Sequence, residues 1–224
     1  MQGLTYAVDL VLVIDLTASM GPVLEAVKTH ALAFHDDIRA ALAEKDKEID
    51  DLRVRVVGYR DFYVDGAGSI SESAFFELPD QVGGFAAEVK GMRPMGGGDE
   101  PESGLEALAL AIRSDWTTEG TRQRQIIVVW SDASTHPLEK AAGEDLPHYP
   151  SGLPATFDDL TDDWEGQSYM SATGKRLILF TPDAAGWSDI SDFWSNTIHF
   201  PSRGGQGLKD IDYSAILDTI ANSV

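Results

Sequence analysis

The chain has no cysteine. That excludes a disulfide scaffold, thiolate metal sites and a cysteine nucleophile, and it fits a reducing compartment. Positive charge is scarce: 17 basic residues stand against 37 acidic ones, a formal charge of −20. A sequence-independent grip on DNA or RNA draws on basic surface, so the charge argues strongly against nucleic acid as a partner, and anionic membranes are disfavoured for the same reason. No apolar run approaches the roughly 20 residues that span a bilayer. Met1 to Tyr6 carries no basic region ahead of an apolar core, so a secretory leader is not expected and a cytoplasmic protein is. Missing too are the Gly-x-x-x-x-Gly-Lys-Ser/Thr phosphate loop, the His-Glu-x-x-His zinc helix and the Gly-x-Ser-x-Gly nucleophile elbow.

What is present is a globular pattern. Hydrophobic residues make up 43% of 224, enough for a core, and no linker divides the chain, so one domain over 1–224 is expected. Val8 to Ile14 is a continuous β-branched run of the kind found in central parallel strands. Leu24, Val27, Ala31, Phe34, Ile38 and Leu42 then recur every three or four residues, which predicts a long helix from about Pro22 to Lys45. Leu52–Tyr59 alternates as a strand. Ala74–Leu78, reached through a Gly-rich turn, suits a short antiparallel edge strand. Helices are expected at Gln81–Lys90, Glu102–Ile112 and from Ile211 to about Ala221, with strands at Gln125–Trp130, Arg176–Phe180 and Thr197–Phe200.

This order predicts an α/β fold: a doubly wound, mostly parallel sheet with helices on both faces and right-handed crossovers. A polar stretch at about 137–174 reads as a long loop insertion. The acidic pairs within it, Asp158-Asp159 and Asp162-Asp163, lack the alternation and glycine of a calcium loop and read as solvated acid. Trp187, Phe193 and Trp194 read as core.

One segment carries chemistry. Directly after Val11–Ile14 come Asp15, Thr17 and Ser19, three short oxygen side chains at alternate positions. A hard cation such as Mg2+ takes oxygen ligands, and the carboxyl edge of an open α/β sheet is where ligands bind. The bland reading is a strand-to-helix turn with Ser19 capping the helix that Gly21-Pro22 begins. Two further segments weigh on the metal side, Gly96-Gly97-Gly98-Asp99-Glu100-Pro101-Glu102 and Trp130-Ser131-Asp132, since the fold would carry both to the same edge. Asp99 has two readings, a ligand or a helix cap with Glu102 closing a capping box three residues later, and both hold together if a water bridges it to the ion. Asp61 reads first as a partner of Arg60 or a loop residue, with support of the metal ligands from behind as the further reading, and His136 as part of the rim; no histidine is assigned to metal.

The set resembles a von Willebrand factor A domain with a metal-ion-dependent adhesion site. Asp15, Thr17 and Ser19 match the family's Asp-x-Ser/Thr-x-Ser motif, and Val128-Val129-Trp130-Ser131-Asp132 matches its later strand and aspartate. The middle run departs from integrin-type members, which use a threonine there, and is similar to a subgroup with aspartate at that place, here Asp99. The resemblance implies a Rossmann-like fold and a cation, most simply Mg2+ with Ca2+ or Mn2+ as alternatives, held by Asp15, Thr17, Ser19, Asp99 and Asp132. It also implies a non-enzymatic module whose protein partner completes the metal shell with an Asp or Glu. Intracellular bacterial relatives of this kind are linked with AAA+ ATPases or with kinase and phosphatase systems. The rival expectation is a metal-dependent hydrolase or phosphotransferase using Asp15, but the aspartyl phosphatase pattern needs a second aspartate at position 17, where Thr17 stands.

Overall fold

A computed structural model describes residues 4–97, 100–118, 122–142, 144–203 and 212–224. In chain order these form β1 (Leu4–Asp15), α1 (Gly21–His30), α2 (Phe34–Ala43), β2 (Lys47–Tyr59), α3 (Phe62–Asp65), β3 (Ile70–Glu72), β4 (Phe76–Leu78), α4 (Val82–Gly91) and α5 (Gly104–Ile112). The second half adds β5 (Gln123–Trp130), α6 (Phe157–Glu165), β6 (Lys175–Pro182), α7 (Trp187–Phe193), β7 (Thr197–Ser202) and α8 (Tyr213–Ser223). Strand order is β3-β2-β1-β5-β6-β7, with β4 also paired to β2. All neighbours are parallel except β3 and β4, which run antiparallel to β2.

The period of two in β1 divides the core. Leu10, Leu12 and Ile14 face one layer, closed by side chains of α1, α2, α4 and α8 such as Leu24, Ile38, Phe85 and Ile220. Val11 and Val13 face the other, closed by α5, α6 and α7 through Leu108, Ile112, Trp164 and Trp187. A strand covered on both faces has no polar side to show, which is why this stretch reads as one apolar run. Asp9 interrupts it and is buried, but Arg53 of the neighbouring strand meets it with both ends of its fork, Nε to Oδ1 at 2.7 Å and Nη2 to Oδ2 at 2.6 Å.

Several expectations need correction. The helix from Pro22 to Lys45 is two helices, broken at Ala31–Ala33, where the Ala33 amide turns back to the His30 carbonyl after three residues rather than four. The antiparallel edge consists of two short strands, β3 and β4. The stretch 137–174 is not loop throughout: it holds a 3-10 turn at Leu138–Ala141 and all of α6. Thr156 and Asp159 cap α6 reciprocally, and its Leu160 and Trp164 are fully buried. Asp159 is thus a helix cap, and Asp163 pairs with Arg113 at 2.6 Å. Phe193 is 79% exposed rather than core. The inward stripe of α7 runs Trp187, Ile190 and then Trp194, and Phe193 lies off it. Among the described residues no helix is long and apolar enough to cross a membrane.

Candidate functional site

Ile14 of β1 pairs with Trp130 of β5, so Asp15 and Ser131 leave the sheet side by side at its carboxyl edge. Asp15 is fully buried. Its Oδ1 accepts from the Thr17 amide at 2.8 Å and the Thr17 hydroxyl at 2.6 Å, and its Oδ2 accepts from the Ser131 hydroxyl at 2.8 Å. The Ser19 hydroxyl donates to Asp132 Oδ1 at 2.8 Å and stands 3.4 Å from Thr17 Oγ1. Asp15, Thr17, Ser19 and Asp132 therefore form one chain of oxygens across two loops separated by 113 residues. Asp99 lies outside the described residues.

The capping reading of Ser19 does not hold. Ser19 sits inside a 3-10 turn, Ala18–Met20, and α1 has Met20 at its cap with no side-chain cap bond. The capping box assigned to Glu102 fails in the same way, because α5 begins at Gly104 with Ser103 as its cap. Glu102 is instead 4% exposed, and a Cβ built on Gly97 would come 2.9 Å from its Oε1 and 2.8 Å from Thr17 Cγ2. The Glu102 carboxyl thus faces the site. Its Oε2 is buried with no hydrogen-bond partner among the described residues.

Burial and crowded negative charge set the protonation of these acids. Loss of solvation raises Asp15 to about 6 against the hydrogen bonds from Thr17 and Ser131, and the charge of Asp132 adds to the rise. Glu102 is raised to about 8, first by burial and then by Asp15, Asp61, Asp65 and Asp132. Among the described residues no cationic side chain pairs with Asp15 or Glu102. Buried carboxylates without a counter-charge are costly, and a bound cation relieves them.

The donor set fits a hard cation. It is all oxygen, it mixes carboxylates with neutral hydroxyls, and one buried carboxylate oxygen has no other use. The acids do not enclose an ion by themselves: among the described residues no group of three or more His, Cys, Asp or Glu side chains is placed to hold one. An ion held here would need Thr17 and Ser19 as neutral ligands as well. Gly97, at φ +74°, allows the close approach of its loop to Thr17 and Glu102.

A second polar layer fixes the two loops against each other. The Glu102 amide donates to the Ser134 carbonyl at 2.9 Å, the His136 amide to the Glu102 carbonyl at 2.8 Å, and the Leu105 amide to Thr135 Oγ1 at 3.0 Å. Asp61 caps α3 by accepting from the Tyr63 amide and lies 3.4 Å from His136 Nε2; it does not pair with Arg60. His136 is buried, not on the rim, and burial lowers its pKa. Behind it the fully buried Glu106 accepts from the Tyr149 hydroxyl at 3.3 Å, while its Oε2 has no partner among the described residues.

Sequence reasoning missed Ser131, Glu102 as a site residue, and Glu106. For the first two the signal was present, since both stand within three residues of a proposed ligand. Glu106 gave a weaker one: an acid on the helix face that also carries Leu105 and Ala109.

No protein-family model matches the chain. It is 27% identical over 183 residues to alpha-protein kinase vwkA of Dictyostelium discoideum, a match that takes in 77% of this chain and 27% of that protein's length. Among solved structures, the pilus adhesin SpaC of Lactobacillus rhamnosus GG superposes with a TM-score of 0.56 at 12% identity, over 96% of this chain and 30% of SpaC. Its open conformation gives 0.54 with the same identity and coverage. At such identity the likeness is one of fold.

Proposed function

We propose that this chain is a von Willebrand factor A-type binding module that grips a protein partner through a divalent cation, Mg2+ in the first place. The observation that carries this reading is the convergence of Asp15, Thr17, Ser19 and Asp132 into one hydrogen-bonded oxygen cluster with a buried, uncompensated Asp15. Asp15 and Asp132 would hold the ion by charge, Thr17 and Ser19 by neutral oxygens, and Asp99 as the resemblance implies. Glu102 faces the same cluster and joins the set. The ion supplies a positive charge on which a partner's Asp or Glu can close, so an acidic residue becomes tolerable on an acidic protein. The pilus adhesin likeness is compatible with an adhesive role, and an AAA+ ATPase or a kinase and phosphatase system in the cytoplasm is the partner context we propose.

The reading is of a binding module rather than an enzyme. The aspartyl phosphatase pattern needs a second aspartate two residues after the first, and Thr17 stands there.

The test is calorimetric titration of metal-stripped protein with Mg2+, Ca2+ and Mn2+, beside an Asp15→Ala variant checked by circular dichroism. Saturable binding that disappears in the folded variant is the expected result. Absence of binding of all three ions by the unmodified chain overturns the proposal.

A further inference from the structure

An open groove of about 650 Å3 runs from the metal-site edge along α4, within the size range of ligand pockets. Leu16, Phe76, Met92 and Met95 give it an apolar lining, and Arg60 and Arg93 give it charge. It adjoins the cation site along the chain, although none of the proposed ligands among the described residues lines it. Leu16 follows Asp15, and its carbonyl accepts from the Met95 amide at 2.9 Å. Gly97, against Thr17 and Glu102, is two residues on from Met95, at most about 7 Å of chain.

Two observations define what would fill it. Met95, in the lining, is 58% exposed. It is a large apolar side chain more than half open to solvent, and methionine adapts its shape to an incoming group. The arginines are the second. On a chain with 37 acids and 17 bases, neither Arg60 nor Arg93 has an ion pair among the described residues. Arg60 Nη2 donates to the Arg93 backbone carbonyl at 3.0 Å, the Arg93 guanidinium donates in turn to the Lys90 and Met92 carbonyls, and among the described residues Glu88 is the one acid in the lining.

We propose that this groove receives the stretch of partner chain flanking the metal-bound acid. That stretch is an extended segment with a large apolar side chain two or three residues from the acid and a further carboxylate that meets Arg93 and Arg60. Gly97 and Met95 can be no more than about 7 Å apart, and extended residues two apart lie about 7 Å from each other on the same side, so a segment of that length reaches from one to the other. The inference rests on the cation-dependent binding proposed above and adds the chemistry of the partner.

Dodecapeptides displayed on phage, selected on the intact chain in Mg2+, supply the probe; the most enriched sequence is synthesised with a fluorophore and titrated by anisotropy. Gly91 and Gly83 both lie in α4, and a Cβ on either meets nothing within 4 Å, but only Gly91 lines the groove. Gly91→Trp therefore blocks it, and Gly83→Trp is the matched control. Enriched peptides are expected to pair an acid with a large apolar residue two or three positions away and to carry a second acid. Their binding should weaken at least tenfold in Gly91→Trp, at least fivefold in Arg93→Glu, and by less than twofold in Gly83→Trp. Peptides that need Mg2+ and Asp15 but ignore both groove variants overturn this inference and leave the cation reading standing. Peptides indifferent to Mg2+ and Asp15, or no enrichment over bare support, overturn both.

Discussion

Replacing Glu106 by Gln should change how the stability of this protein depends on pH. Glu106 is fully enclosed on α5, and burial is the first cause of its rise to about 7 from 4.5; the Tyr149 hydroxyl and Lys140 oppose the rise, and Asp61 adds to it. The native state thus holds this proton more tightly than the unfolded chain does. The stability it contributes is fully present below about pH 4.5 and is lost as pH rises through about 7. A gap of about 2.5 pKa units corresponds to roughly 3.4 kcal/mol at most, at 1.36 kcal/mol per unit. Urea unfolding of both proteins from pH 5 to pH 9 reads the effect. Relative to its own standing at pH 5, the Gln variant should gain on the wild type by about 2 to 3 kcal/mol at pH 9, or about 4 to 12 °C in melting temperature for a chain of this size. Any constant offset from packing an amide against Tyr149 cancels in that comparison. A difference between the two proteins that stays flat within about 0.5 kcal/mol from pH 5 to pH 9 would refute the assignment of a buried, protonated Glu106.

Two further perturbations address other parts of the fold. Trp164 is fully buried, donates from Nε1 to the Ser195 carbonyl at 3.0 Å and stacks on Trp194 at 5.6 Å. Trp164→Ala should cost about 3 to 5 kcal/mol in urea unfolding, and a loss below 1 kcal/mol would mean that α6 is not integral to the core. Gly97→Ala forces a Cβ at φ +74° against Thr17 and Glu102. It should cost about 1 to 2 kcal/mol of stability and weaken Mg2+ binding about tenfold, equivalent to 1.4 kcal/mol. Unchanged Mg2+ affinity in that variant would place the ion away from this loop.

What could be read in advance followed the reach of each signal. β1, β5 and β6 announced themselves because a strand buried on both faces is apolar at every position, α4 because its periodicity is that of a helix with one covered face, and α5 through the spacing of Leu105, Leu108 and Ile112, although all of its residues but Leu110 are buried. The interruption between α1 and α2 left no such trace, since Leu24, Ala31, Phe34 and Ile38 keep helical spacing across it. In α6 only Phe157, Leu160 and Trp164 are large and apolar, among five acids in nine residues, so a short helix docked by two buried side chains passed for solvated loop. Glu102 was read from local spacing as a cap, because the capping box and a site-facing acid look alike until the helix start is known.

The sequence by itself determined the alternation of strand and helix, the mostly parallel sheet and the oxygen motif at the end of β1, because each depends on residues only a few positions apart. Tertiary structure decided which acids share an environment. The Ser19 bond to Asp132 spans 113 residues and the Ser131 bond to Asp15 spans 116, and only the adjacency of β1 and β5 in the sheet brings those ends together. It also decided how these acids ionise. Burial and neighbouring charge, not residue type, raise Asp15, Glu102 and Glu106 above the range of ordinary carboxylates, and neither quantity exists until the chain has folded.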